Sequence, residues 1–227
     1  MQLPNGDIVL SDLSPYDLKN LIQTGEGHYL EFKRKVSTPE KLAREMAAFA
    51  NTKGGTILVG VDDNGDIIGV NSFFEEEYLL SKAAHEQCVP PIPVQIELLH
   101  VADADVIVVK VPEAEVKPVY TKGKKKRTVY VRREASSLVA SDELKEVLKL
   151  QHSDDGVTFE YGKHEQMLFR YLNEYGEITV SSFARLINET TYRASKILVT
   201  LVSAGILKLS IHDNVDHYSF AGNTNKS

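Results

Sequence analysis

The sequence predicts an α/β domain followed by a small helical domain that ends in a β-hairpin. Three observations carry this reading. Residues 28–70 run strand, helix, β-rich segment and turn. A polar, glycine-containing stretch at His152-Ser153-Asp154-Asp155-Gly156 breaks the pattern. Beyond it, three amphipathic helical segments precede a final alternating pair. At 227 residues the chain suits two modest domains, and its apolar content is enough to build a core in each. We place them at 1–151 and 160–227, with 152–159 as the linker.

Ser14-Pro15 is a helix start, Leu18, Leu21 and Ile22 share one face, and Gly25 is placed to stop the helix. From His28 to Lys35 the residues alternate, with Leu30 and Phe32 on one side and Tyr29, Glu31 and Lys33 on the other, as a half-buried strand requires. Thr38 and Pro39 open a second helix, its stripe made by Leu42, Met46, Phe49 and Ala50, and Gly54-Gly55 close it with a tight turn into the next strand. Thr56–Val61 is β-rich, Asp63-Asn64-Gly65 signals a hairpin, and Ile67–Val70 is expected to return as its partner. A helix over about 73–87 follows, with Glu75, Glu76 and Glu77 in its first turn, where the dipole favours them, and prolines at 90, 91 and 93 beyond it. Segments 94–101 and 106–111 are strands. Pro118–Thr121 and Thr128–Arg133 frame a lysine-rich loop, and a helix capped by Ser141 is expected to end the domain.

In the second domain the helices fall at about 164–175, 181–188 and from Thr190 or Thr191 to Gly205. A short extended piece lies at Ile178–Val180, and a terminal hairpin turns at Asp213-Asn214. This is the winged-helix order. Its third helix should be the recognition element, with Thr191, Tyr192, Arg193 and Lys196 near its N-terminal end, and Arg193 foremost. The wing, His212 to His217, carries acids where phosphate would favour cations. That feature supports a dimerisation or protein-docking role as the alternative. His212 and His217 read as surface residues rather than metal ligands.

Net charge is −6 and the pI is about 5.7, which excludes coating of nucleic acid by bulk electrostatics and requires any contact to be local. The densest basic stretch is Lys122, Lys124, Lys125, Lys126 and Arg127, with Arg132 and Arg133 shortly after. Lys122 to Arg127 are expected to meet phosphates from a hairpin tip, a solvated loop being the alternative, while Arg132 and Arg133 alternate across a strand, so that only one of them can join a given phosphate-binding face. No run approaches the roughly 18 apolar residues of a membrane span, and the start has neither the basic head nor the apolar run of a signal peptide, so the chain reads as cytoplasmic. Cys88 has no partner for an intrachain disulfide and reads as a small buried hydrophobe in a helical pattern.

Four groups of residues resemble the Schlafen AlbA_2 family. They are Glu26-Gly27-His28-Tyr29-Leu30-Glu31-Phe32-Lys33; Ala48-Phe49-Ala50-Asn51-Thr52-Lys53-Gly54-Gly55; Leu58-Val59-Gly60-Val61-Asp62-Asp63 with Gly65, Ile68 and Gly69; and Pro118-Val119-Tyr120 with Tyr130-Val131-Arg132-Arg133. The resemblance covers about residues 10 to 150 and implies an α+β domain with a mixed sheet. Glu134 departs from it, standing where bacterial members commonly have glycine. Such domains are often joined to a winged helix in bacterial transcriptional regulators, which implies a DNA-binding regulator, as a homodimer on two half-sites. Some members are described as ATP-binding, but this chain has no G-x-x-x-x-G-K-[ST] loop to wrap phosphates.

The animal Schlafen nucleases hold a divalent metal on three carboxylates. Carried over, these are Glu26, Glu31 and Asp63, which would bind Mg²⁺ or Mn²⁺ with Lys33 adding positive charge beside them. A metal-dependent nuclease acting on RNA or single-stranded nucleic acid is therefore the competing function. The alternative reading leaves Glu31 and Lys33 on a solvated strand face and Asp63 in a turn. Asn51 reads as a backbone cap rather than a catalytic group. A third possibility is an interaction protein with neither activity.

Overall fold

The computed structural model describes residues 8–123, 126–151, 159 and 161–222. Lys124, Lys125 and linker residues 152–158 lie outside the described residues. The chain divides into two compact units, Met1–Val139 and Ala140–Ser227.

The N-terminal unit begins with α1 (Pro15–Gln23), which the Ser14 hydroxyl caps by accepting the Asp17 N–H, and Gly25 leaves it at φ +73°. Then follow β1 (Leu30–Lys33), α2 (Pro39–Asn51), β2 (Gly55–Val59), α3 (Phe73–Glu86), β3 (Cys88–Val89), β4 (Gln95–Val101), β5 (Ala104–Val111), β6 (Tyr120–Thr121), β7 (Thr128–Arg133) and β8 (Ser136–Val139). Two four-stranded sheets result, ordered β1-β2-β5-β4 and β3-β6-β7-β8. The first is mixed: β1 and β2 are parallel, and β5 is antiparallel to both β2 and β4. Alternation sorts its side chains to two covered faces. Ile57, Val59, Ile107 and Val109 pack with Met46 and Phe49 of α2 and Leu80 of α3, while Leu30, Phe32, Leu58, Val106 and Val108 pack around Leu18 of α1. Burial on both faces explains the uninterrupted apolar runs of β2 and β5.

The expected hairpin over 56–70 forms differently. Both edges of β2 are taken by β1 and β5, so Ile67 makes only an isolated bridge to Val61. The Asp62 carboxylate, accepting the N–H groups of Asn64 and Asp66 at 3.0 Å each, organises the turn instead. Strands β3 and β8 were not anticipated. Cys88 sits in β3 rather than in a helix, and burial pushes its thiol up to about 12, so it is inert at neutral pH. Glu134, between β7 and β8, has φ +51°, the left-handed region in which glycine is unstrained. Gly54 at φ +72° is required more strictly, because a Cβ there would stand 2.7 Å from the Val111 carbonyl oxygen.

The second sheet is tied to α2 by that helix's last residue. The Asn51 amide donates to the carbonyls of Val119 at 2.9 Å and Tyr130 at 2.8 Å, and its oxygen accepts the Val119 N–H at 2.7 Å. Thr52 continues the seam by accepting the Arg132 N–H, and Lys117 donates to the Thr52 carbonyl and to Glu113. The Lys117 hydrogen bond holds the Glu113 carboxyl below its ordinary range.

The C-terminal unit comprises α4 (Asp142–Leu150), α5 (Lys163–Tyr175), α6 (Val180–Ile187), α7 (Thr191–Ser203), β9 (Leu207–His212) and β10 (Val215–Phe220). The expected boundary after residue 151 shifts. Helix α4 belongs to this unit because Val147 is buried with Leu168, Phe183, Leu198 and Tyr218 in its core. Asp213 and Asn214 both adopt positive φ, at +49° and +61°, closing β9 and β10 with a two-residue turn. Ile178 makes an antiparallel bridge to Tyr218. Among the described residues, no helix is long and apolar enough to cross a membrane.

Asn51→Ala would strand two carbonyls and one N–H that the side chain now satisfies. At roughly 1 kcal/mol per hydrogen bond, and more for each buried group left unpaired, the loss is about 3 kcal/mol or more, measurable by urea denaturation. Wild-type stability in that variant would refute the tie.

Candidate nucleic-acid interface

Strand β1 was expected to expose Glu31, but β1 is covered on both sides and Glu31 is 6% exposed. What covers it is Arg132, from a strand about a hundred residues later. The guanidinium side chain is 0% exposed. One terminal nitrogen donates to Glu31 Oε2 at 2.6 Å and to the Leu30 carbonyl at 3.2 Å. The other donates to Glu45 Oε2 at 3.1 Å and Ser137 Oγ at 3.4 Å. Nε donates to the Gly27 carbonyl at 3.0 Å, which uses all five N–H groups of an arginine. The Phe49 ring lies beneath, its centroid 4.7 Å from the guanidinium carbon. Lys33 pairs with the remaining Glu31 oxygen, and Ser137 donates to Glu45. Two cations thus face two carboxylates in a closed network.

This geometry settles where the sequence-derived site residues lie. Glu26 is exposed, and its Oε1 accepts the Phe32 N–H at 2.8 Å, so it anchors the start of β1. Glu31 is held by Arg132 and Lys33. Asp63 stands exposed in the turn after β2. Among the described residues, no three His, Cys, Asp or Glu side chains form a group that could hold a metal. Glu26, Glu31 and Asp63 therefore do not fit a shared ion, and Lys33 serves as a counter-ion. Arg132, expected on a phosphate-binding surface, is a correction: it is buried and fully bonded. Lys122, Lys126 and Arg127 are exposed around the β6–β7 loop, and Arg133 is half-buried on the strand's opposite side.

In the C-terminal unit, the Thr190 hydroxyl caps α7 by accepting the Arg193 N–H. Thr191, Tyr192, Arg193 and Lys196 are exposed along its first two turns, Tyr192 at 72%. Carboxylates accompany them. Arg193 pairs with Glu189 at 3.2 Å, Lys196 lies 3.9 Å from Glu146, and Ser195 donates to Glu143 at 3.0 Å. The cleft between α4 and α7 is bordered by Asp142, Glu143 and Glu146. On the hairpin, His217 pairs with Glu177, and Asp216 accepts from the Ser141 hydroxyl. Burial raises the Asp216 carboxyl; the Ser141 bond opposes this and Glu143 adds to it.

Sequence reasoning missed Glu45 as the second counter-ion of Arg132. It also passed over Lys35, Lys41 and Arg44, which line a cleft beside Lys33. The run Lys33-Arg34-Lys35 was a visible signal for these.

The structure defines a mixed-sheet α+β domain in which β1, α2, β7 and β8 build one buried ion-pair node. A family model for Schlafen AlbA_2 matches residues 26–141, and the chain belongs to that family. No curated protein sequence matches it. Among solved structures, the chain is similar to the N-terminal domain of an ATP-dependent DNA helicase RecG-related protein from Nitrosomonas europaea, at 27% identity and TM-score 0.44, covering 57% of this chain and 92% of that one. It is also similar to the DIP2311 protein of Corynebacterium diphtheriae, at 15% identity and TM-score 0.43, covering 86% of this chain but 34% of that one.

Two predictions follow from these networks. Arg132→Met leaves Glu31 and Glu45 without their buried cation and should destabilise the protein by about 3–5 kcal/mol, with part recovered in Arg132→Met/Glu31→Leu. Denaturant melts of these two variants and of Glu31→Leu alone read this directly, and additive losses would refute the pairing. For Asp216, the folded pKa is raised above the unfolded one, so the native state binds the proton more tightly. Stability is then gained as pH falls toward the carboxylate range and lost as pH rises through the folded pKa. Asp216→Asn should raise the melting temperature at about pH 7 and flatten the gain that the wild type shows as pH falls into the carboxylate range.

Proposed function

We propose that this chain is a nucleic-acid-binding protein that acts as a DNA-binding transcriptional regulator. The carrying observation is the exposed N-terminal end of α7, where Thr191, Tyr192, Arg193 and Lys196 stand together on a capped helix. The succession α5, α6, α7, β9 and β10, with the Ile178 bridge, is the order of a winged helix-turn-helix, and α7 takes the place of its recognition helix. Base edges are read from such a position, and a dimer reads two half-sites. Membership of the AlbA_2 family agrees with a nucleic-acid partner.

One observation favours a second reading. The carboxylates of Glu143, Glu146 and Glu189 accompany the cations of α7, and the wing turn is acidic, a surface suited to docking a basic protein partner. The metal-dependent nuclease reading is the weaker, since its three carboxylates do not converge and one is the counter-ion of Arg132.

Anisotropy titrations of the full chain against duplex DNA over a salt series test the proposal. Arg193→Ala should weaken binding to the preferred duplex by about 1–3 kcal/mol and relax sequence preference. Unchanged affinity and preference in that variant would favour the docking reading.

A further inference from the structure

In the N-terminal unit, the segment between β1 and α2 and the first two turns of α2 form a cleft of about 250 Å³, bordered by Lys33, Lys35, Lys41 and Arg44 against the single carboxylate Glu45. The nearby acids are already committed. Glu45 accepts from Arg132 and Ser137, Glu31 is held by Arg132 and Lys33, and Glu76 accepts the Val36 N–H at 2.9 Å. Lys35 and Lys41 are exposed, and among the described residues no carboxylate pairs with either. Arg44 is also exposed, its guanidinium carbon 5.9 Å from the centroid of the Tyr130 ring.

In a chain of net charge −6, this group of cations around one cleft is a local excess of positive charge. They repel one another unless an anion joins them, and the low-dielectric wall behind them, with Val36 and Leu42 buried at 7% and 3%, concentrates their field at the cleft. The N-terminal end of α2 lines the same space and adds its positive dipole end. The lining carries no exposed apolar pocket for a peptide side chain and no aromatic platform for a base. Lysines act here as point charges, which suits phosphate oxygens.

We propose that this cleft is a phosphate-binding groove taking the phosphodiester backbone of a nucleic acid, independent of its sequence. The inference rests on the nucleic-acid reading above and assigns the backbone grip to Lys35, Lys41 and Arg44, with Lys33 at its inner edge. Lys33 stands at the end of β1 and Lys41 and Arg44 on α2, with Lys35 on the short segment that joins them, so most of the grip is held on regular elements, as positioning contacts require.

The test is anisotropy of the full chain with a short labelled DNA duplex and a single-stranded RNA across a salt series. It compares Lys35→Gln/Lys41→Gln with Lys19→Gln/Lys53→Gln, which removes equal charge elsewhere on the unit. Both pairs are exposed, and unchanged melting temperatures would show that both doubles are folded. The cleft double should weaken binding about tenfold and flatten the log–log salt slope by about one to two, alike for every sequence tried, while the control double changes little. Equal losses in the two doubles, no loss in the cleft double, or displacement of the oligonucleotide by polyglutamate as readily as by unlabelled oligonucleotide would overturn the proposal. A wild type that binds neither probe at low salt rejects the nucleic-acid reading itself. Binding that is lost in Arg193→Ala but intact in the cleft double rejects only the cleft.

Discussion

The N-terminal unit depends on a buried guanidinium. Removing Arg132 and its carboxylates from water costs several kcal/mol per ion, and attraction repays that cost only when the geometry is good and every remaining donor is satisfied. Here all five N–H groups have acceptors, drawn from β1, from the turn before it, from α2 and from β8. One residue of the second sheet therefore fixes the positions of four other pieces of chain. The cation is specific to this arrangement, since a shift of β7 by one residue would turn Arg132 outward and bring Val131 to face two carboxylates. Asn51 and Thr52 secure the same strand through its backbone, so side-chain and main-chain ties select one register together.

This network also changes the meaning of the glutamate that resembles a metal ligand. A carboxylate can hold a divalent ion only with oxygens free to approach it. Both oxygens of Glu31 face cations of the protein itself, and Glu26 spends an oxygen on a backbone N–H. The residue types of a nuclease-like constellation are present in this chain while their bonding is structural, which is why fold membership alone does not carry an activity.

Much of the fold was legible from local signals. Ser14, Thr38, Ser141 and Thr190 all cap the helices expected of them, and the strands of the first sheet stand close to where β-rich runs placed them. What escaped was non-local. Alternation in β1 correctly put Glu31 opposite Phe32, but nothing in that segment says that a strand near residue 132 will cover the polar side. The Asp-Asn-Gly turn was read as a hairpin because the parallel partner of β2 lies on the far side of α2 in sequence. Helix α4 was assigned to the first domain because an amphipathic stripe shows that a helix buries a face without saying against which core. The cations at 33–44 escaped for a different reason: they are split between a strand end, the segment after it and a helix, and only the fold brings them to one cleft.

Charge placement then separates two tasks that net charge had merged. On α7, Arg193 and Lys196 each lie near a carboxylate, so beyond a few ångströms their fields largely cancel, and they can contribute to binding only through direct contact. Contact-range groups of this kind discriminate between base edges but attract a polyanion poorly. Lys35 and Lys41 have no such partners among the described residues and project an uncancelled field. An acidic protein that binds nucleic acid needs both properties, and a helix cannot readily supply both at once, because the carboxylates that hold its cations in place are the same groups that repel phosphate. In the proposed reading, attraction placed on one compact unit and discrimination on the other resolve that conflict without requiring a basic chain.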